Sequence, residues 1–138
     1  MTLDFVCALV NGEATAEVVL STDDVIAFLD HRPVFKGHVL VCPTAHVDTL
    51  LELPDEAIMP LFRAARRVAQ AVRDGLGAEG SFVAVNNVIS QSVPHLHIHV
   101  VPRHKGDGLR GFFWPRTTYA SGEAAAVARR LRLALAES

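Results

Sequence analysis

One short run constrains this chain more than any other: His95-Leu96-His97-Ile98-His99-Val100-Val101. It alternates strictly, and side chains along a β-strand point to opposite faces in turn. As a strand, the run places Leu96, Ile98 and Val100 against a core and all three imidazoles on the other face. The aliphatic face fixes the register, because a slip of one residue would exchange the two sets. The imidazole face must then line a surface or cleft. Pro94 and Pro102 bracket the run.

The rest of the chain supplies the sheet around it. Glu17–Ser21 and Val25–Leu29 read as a hairpin about Thr22-Asp23-Asp24. His38–Cys42 is a buried strand ended by Pro43, and Ser81–Val85 is another, followed by a polar turn over Asn86–Ser92. After Pro54, apolar residues from Ile58 to Leu76 recur at three- and four-residue steps, which predicts an amphipathic helix ended by Gly75 or Gly77. Gly106–Gly111 reads as a flexible loop, and an alanine-rich helix follows Ser121-Gly122-Glu123 and ends near Ala136. This order predicts an α+β domain with a mainly antiparallel five-stranded sheet, one long helix and a C-terminal helix. A length of 138 residues, with no repeat or linker, predicts a single domain over 1–138.

Composition narrows the function classes. Half the residues are apolar, enough to offset the entropy of ordering. The net charge of −2 leaves no basic excess for nucleic acid or an anionic membrane. No apolar run approaches the ~20 residues of a spanning helix, and no signal-peptide pattern opens the chain. Cys7 and Cys42 make at most one bridge, which is no framework for a secreted scaffold. A soluble cytoplasmic domain is expected, with neither nucleic acid nor membrane as partner.

Three alternating histidines admit two chemistries. They can bind metal, since imidazole is a common zinc ligand. At about 3.3 Å per residue, however, His95 and His99 stand about 13 Å apart, too far to share one ion. Alternatively, one imidazole attacks phosphorus while a neighbour holds the anion, which splits one hard displacement into two easier steps. Alternate residues about 6.6 Å apart suit the flanks of one phosphate.

The segment Gln91-Ser92-Val93-Pro94-His95-Leu96-His97-Ile98-His99-Val100-Val101-Pro102-Arg103 resembles the signature of the histidine-triad (HIT) superfamily. Ala27-Phe28-Leu29-Asp30, then Gly37–Pro43 and His46, resemble the family's earlier block, so the likeness spans roughly residues 17–103. It implies a HIT-like fold and a two-fold homodimer, with the helix after Pro54 at the contact. It implies His97 as the nucleophile on the α-phosphate of a purine nucleotide, with the His95 carbonyl holding its other ring nitrogen. His99, Ser92, Gln91 and Asn86 correspond to phosphate-side groups, and Asp30 to the acid that binds ribose hydroxyls. The stretch from Asn86 to Gln91 is shorter than in many relatives, so Asn87 is an alternative to Asn86, and a turn cap is an alternative role for Asp30 and the asparagines.

Many bacterial relatives bind structural zinc through a Cys-x-x-Cys pair, a histidine matching His46 and the first triad histidine. Here the set is Asp4, Cys7, His46 and His95. A carboxylate, a thiolate and two imidazoles form an acceptable tetrahedral set, weakened by the harder carboxylate. Zinc there would be structural and not catalytic, because this set leaves His97 free, and the resemblance implies that catalysis requires no cofactor.

Beyond the triad, Lys105, Arg110 and Arg116 form a basic loop within reach of a leaving group. Phe112-Phe113-Trp114-Pro115 reads as packing for the last helix or as a pocket wall, and Arg129, Arg130 and Arg132 as a solvated face. The implied activity is hydrolysis at the α-phosphate of a purine nucleotide conjugate, a phosphoramidate or dinucleoside polyphosphate, through a nucleotidyl-histidine. His99 stands where the nucleotidyl-transferring branch has glutamine, which favours hydrolysis over transfer. The alternatives are a nucleotide-binding scaffold that acts as a dimer, and a zinc hydrolase that uses the triad directly.

Overall fold

The computed structural model describes residues 4–109 and 116–137. The chain divides into two compact units, Met1–Asp107 and Gly108–Ser138. The first holds a five-stranded antiparallel sheet, built of β1 (Val18–Ser21), β2 (Val25–Leu29), β3 (Val39–Pro43), β4 (Gly80–Val85) and β5 (Ile98–Arg103), in the order β1-β2-β3-β5-β4. It also holds α1 (Phe5–Val10) and α2 (Asp55–Leu76). In the second unit, α3 (Glu123–Ala136) follows Gly122 and exposes Arg129, Arg130 and Arg132.

Period-two alternation sorts the strands between two layers. Val25, Ala27, Val39, Val41, Ile98 and Val100 face α2 and pack with its Leu61, Ala65, Val68 and Val72. Ile26, Phe28 and Cys42 face the other way and pack with Val6 and Leu9 of α1. The β1–β2 turn is held by Thr22, whose hydroxyl accepts from the backbone N–H of Asp24 and Val25 at 3.2 and 3.0 Å. The long helix ends at Gly77, at φ +72° in the left-handed region, and not at Gly75. Pro54 is its N-cap, and Pro60 is accommodated within its second turn.

Two expectations are corrected. The alternation predicts a strand from His95 to Val101, but β5 begins at Ile98 and continues through Pro102 to Arg103. Proline is tolerated there because β3 pairs only with Ile98–Val100, which leaves one side of Pro102 without a partner strand. At the other end, Leu96 N–H donates to the Val47 carbonyl at 2.8 Å, outside the sheet ladder. The start of the supposed flexible loop is a tight turn, in which the Asp107 carboxylate takes two bonds from Arg103, at 2.6 and 3.1 Å, and one from His104 N–H. Among the described residues, no helix is long and apolar enough to cross a membrane.

Candidate active site and metal cluster

Register builds the site. Phe28 of β2 pairs with Leu40 of β3, and Leu40 with His99 of β5, so the three form a row across the sheet on the face away from α2. This row floors a cavity of about 850 Å³, walled by Phe5 and Val6 of α1, Asp30 after β2, and Ser92 and His97. That volume suits a small-molecule ligand. The lining combines imidazole and hydroxyl groups with apolar side chains, among them Phe5 and Phe28, whose rings are tilted 5.7 Å apart.

Hydrogen bonds assign the protons on each imidazole. His97 Nδ1 lies 2.7 Å from the His95 carbonyl, which only accepts, so Nδ1 carries hydrogen and Nε2 keeps its lone pair. His38 Nδ1 accepts from Val34 N–H at 3.1 Å, so the proton of His38 sits on Nε2. That N–H faces His99 Nδ1 at 3.0 Å, which leaves His99 as an Nε2–H donor. His99 Nε2 is, among the described residues, the one buried side-chain nitrogen or oxygen without a partner. Burial, then the neighbouring His97 and His38, hold the His99 pKa down to about 4. Burial lowers that of His38 too, against the pull of Asp30. The His97 and His99 rings stand edge to face, 5.0 Å apart. A free imidazole lone pair therefore lies beside an unsatisfied neutral N–H donor in one cavity.

Asp30, Ser92, His97 and His99 are brought together here, while Asn86 and Gln91 are not among the lining residues. Asp30 does cap a turn, since its Oδ1 accepts from Arg32 N–H at 2.9 Å. Gln91 and Asn87 brace the loop. The Gln91 amide oxygen accepts from Val88 N–H and its Nε2 donates to the Asp48 carbonyl, while Asn87 Oδ1 accepts from Leu50 N–H. Lys105 is exposed and stands outside the cavity lining. Arg110 and Phe112–Pro115 lie outside the described residues. Sequence reasoning missed the role of His38, for which the Asp30…His38 spacing carried no signal, and missed α1. The sign of α1 was Asp4, an N-cap whose Oδ1 accepts from Cys7 N–H.

His95 faces elsewhere. Its ring is fully buried, and it joins Asp4, Cys7 and His46 in one cluster. Cys7 Sγ lies 3.5 Å from His46 Nδ1 and 3.6 Å from His95 Nδ1, the two Nδ1 atoms are 3.2 Å apart, and Asp4 lies 2.8 and 3.3 Å from them. A tetrahedral zinc with bonds of about 2.0–2.3 Å needs ligand spacings of roughly 3.3–3.6 Å. The proton inventory points the same way. His95 Nε2 donates to the Pro43 carbonyl and His46 Nε2 to the Asp48 carboxylate, both at 2.8 Å, so both Nδ1 atoms present lone pairs. Two lone pairs and a carboxylate converge with one thiol, and a cation satisfies all four. Bonds like these, from Pro43 and Asp48, are the kind that orient imidazoles in metal sites. Without a cation, burial and then Asp4 push the Cys7 thiol up to about 11. Burial alone would raise Asp4, but Cys7 and His95 outweigh it and hold Asp4 at about 2.

A family model for the HIT domain matches residues 11–106. The chain is 38% identical over 104 residues to an uncharacterized HIT-like protein of Methanocaldococcus jannaschii, covering 74% of this chain and 80% of that protein. It is 32% identical over 111 residues to the adenosine 5'-monophosphoramidase hnt1 of Schizosaccharomyces pombe, covering 79% and 80%. Among solved structures, a HIT-family protein of Bacillus subtilis superposes with a TM-score of 0.85 at 31% identity, covering 94% of each chain. A zinc-bound histidine triad family protein of Mycobacterium smegmatis does so with a TM-score of 0.71 at 36% identity, covering 95% and 91%.

Proposed function

The chain belongs to the HIT-domain family, and on that premise we propose that it hydrolyses purine nucleotide conjugates at the α-phosphorus, phosphoramidates or dinucleoside polyphosphates, through a nucleotidyl-His97 intermediate. The observation that carries the reading is the pairing of a free His97 Nε2 lone pair with the partnerless Nε2–H of His99 in one cavity.

In the first step, Nε2 of His97 attacks phosphorus and the bond to the leaving group breaks. The electron pair departs with an amine, which takes a proton from water, or with a phosphate. The His97 ring becomes cationic, and the His95 carbonyl on its Nδ1–H stabilises that charge. His99 donates to a non-bridging oxygen where negative charge builds, as a preorganised dipole does. In the second step, water attacks phosphorus and gives up a proton to solvent, the P–Nε2 bond breaks with its pair returning to Nε2, and nucleoside monophosphate leaves. Ser92 and Asp30 both line the cavity; in this reading Ser92 contacts the phosphate, and Asp30, with Oδ1 spent on Arg32 N–H, has Oδ2 for a ribose hydroxyl.

The Asp4, Cys7, His46 and His95 cluster fits a structural zinc ion, which would neutralise the converging donors and crosslink α1 to the loops beside it. The relative solved with zinc supports that reading. We also propose a homodimer. The outer edge of β4 pairs with no strand among the described residues, and Ile58, Met59 and Phe62 stand exposed on α2. Phe62→Asp should turn a dimer into a monomer by light scattering.

The hydrolase is tested with an adenosine phosphoramidate and a diadenosine polyphosphate side by side, with His97→Ala as control. The expected result is nucleoside monophosphate release by the wild type and trapping of nucleotidyl-protein after acid quench. Release no faster than the control would overturn the hydrolase and leave a nucleotide-binding scaffold.

A further inference from the structure

We propose that Asp4 and Cys7 are positioning residues for the cavity: the metal cluster holds α1 in place as the cavity's apolar wall, and metal occupancy thereby sets nucleotide affinity. This rests on the nucleotide reading of the cavity and the metal reading of the cluster.

The two sites share α1. Asp4 caps the helix and Cys7 lies in it, and both point their donor atoms into the cluster. Phe5 and Val6, between them in sequence, line the cavity. A helix of six residues is too short to persist by its own hydrogen bonds. Burial of Val6 and Leu9 supplies one attachment, on the Ile26, Phe28 and Cys42 surface. The cluster supplies the other: a bound cation draws Asp4, Cys7 and the two Nδ1 atoms onto one centre, where without it Asp4 and Cys7 keep only individual polar contacts to the imidazoles. The same cluster tethers α1 firmly when filled and more loosely when empty.

The cluster touches the site by a second route, and the two routes separate experimentally. The His95 carbonyl holds His97, and the His95 ring is fixed independently by the Pro43 carbonyl and complete burial. Losing the metal should thus release the wall formed by Phe5 and Val6 and leave the nucleophile aligned. Affinity falls and the chemical step does not.

The experiment compares zinc-loaded, chelator-stripped and Cys7→Ala full-length protein. Readouts are calorimetric binding of AMP, amide hydrogen exchange over residues 5–11, and kcat and KM on the phosphoramidate. Stripping should raise the AMP Kd by about tenfold, with a comparable loss of exchange protection confined to 5–11. KM should rise in parallel, with kcat within about twofold. Cys7→Ala should reproduce the stripped state and no longer respond to zinc. Phe5→Ala should weaken AMP binding while keeping zinc and protection, which isolates the wall from the tether. Unchanged Kd and protection on stripping would overturn the proposal, as would loss confined to kcat or failure to bind zinc. If the loaded protein binds AMP but turns nothing over, only the hydrolase reading fails. If it does not bind AMP, the nucleotide reading fails while exchange over 5–11 still reports the tether.

Discussion

His95 and His97 are two residues apart, of one type, and their ring chemistries are opposite. Around His95, lone pairs converge with too few protons, which is the electrostatics of a cation site. Around His97 and His99, one lone pair faces the cavity beside one N–H, which is the electrostatics of a site for an electrophilic phosphate. The difference lies in the atom behind each ring. The Pro43 carbonyl takes the Nε2 proton of His95 and exposes Nδ1, the His95 carbonyl takes the Nδ1 proton of His97 and exposes Nε2, and His38 gives a proton to His99 Nδ1 and leaves Nε2–H outward. A histidine's role is set by the hydrogen bond on its far nitrogen.

The strongest way to break the comparison is to remove the outward lone pair. His97→Ala should lower turnover by about 10³-fold or more while the fold and AMP binding persist, as expected for loss of a covalent nucleophile. Near-wild-type turnover would move the nucleophile elsewhere. Next is the proton behind His99. His38→Ala frees the His99 tautomer and should lower kcat by about 10- to 100-fold, the usual scale for an orienting partner. His38→Gln, which can accept from Val34 and donate to His99, should recover part of it. Equal loss in both variants would reduce His38 to a packing residue.

A pH titration sharpens the same point. His99 is held at about 4 in the folded state, against an unfolded value near 6.5. Between those values the unfolded chain binds the proton and the native ring does not, so stability must fall as pH drops through that window. His99→Asn should flatten the decline in thermal midpoint between about pH 6.5 and pH 4. An unaltered slope would show that other groups govern it.

The sheet and long helix were readable because each rests on a local pattern: the short apolar runs Val25–Leu29 and His38–Cys42 between turn residues, and the three- and four-residue stripe from Ile58 to Leu76. The ends of β5 were not, because Pro102 is permitted only by where β3 stops, which is a property of another strand. His97 and its carbonyl partner were legible from the family motif two residues apart. The proton assignment of His99 was not, since it depends on His38, 61 positions away, and on Val34 behind that. Gln91 and Asn87 carry the right chemistry for phosphate, but their amides are drawn into the loop by Asp48 and Leu50, a contact no local pattern announces.

That loop joins the two regions and yields the smallest effect. Gln91 bonds the Asp48 carbonyl, the Asp48 carboxylate holds His46 of the cluster, and the loop runs on to Ser92 in the cavity. Within it Val88 sits at φ +70° and Ser90 at φ +63°. A β-branched residue in the left-handed region is strained by about 1–3 kcal/mol. Glycine removes that strain but loses about 0.5–1 kcal/mol to the freer unfolded chain. Val88→Gly should therefore stabilise the protein by about 1 kcal/mol, a rise of a few degrees in thermal midpoint. Val88 donates to the Gln91 amide oxygen through its backbone N–H, so that bond survives the change. If the stabilised variant binds AMP as the wild type does, the strain is only tolerated. If it binds about tenfold more weakly, the strain is what aims Ser92 at the phosphate, and the brace from cluster to cavity is part of the binding site.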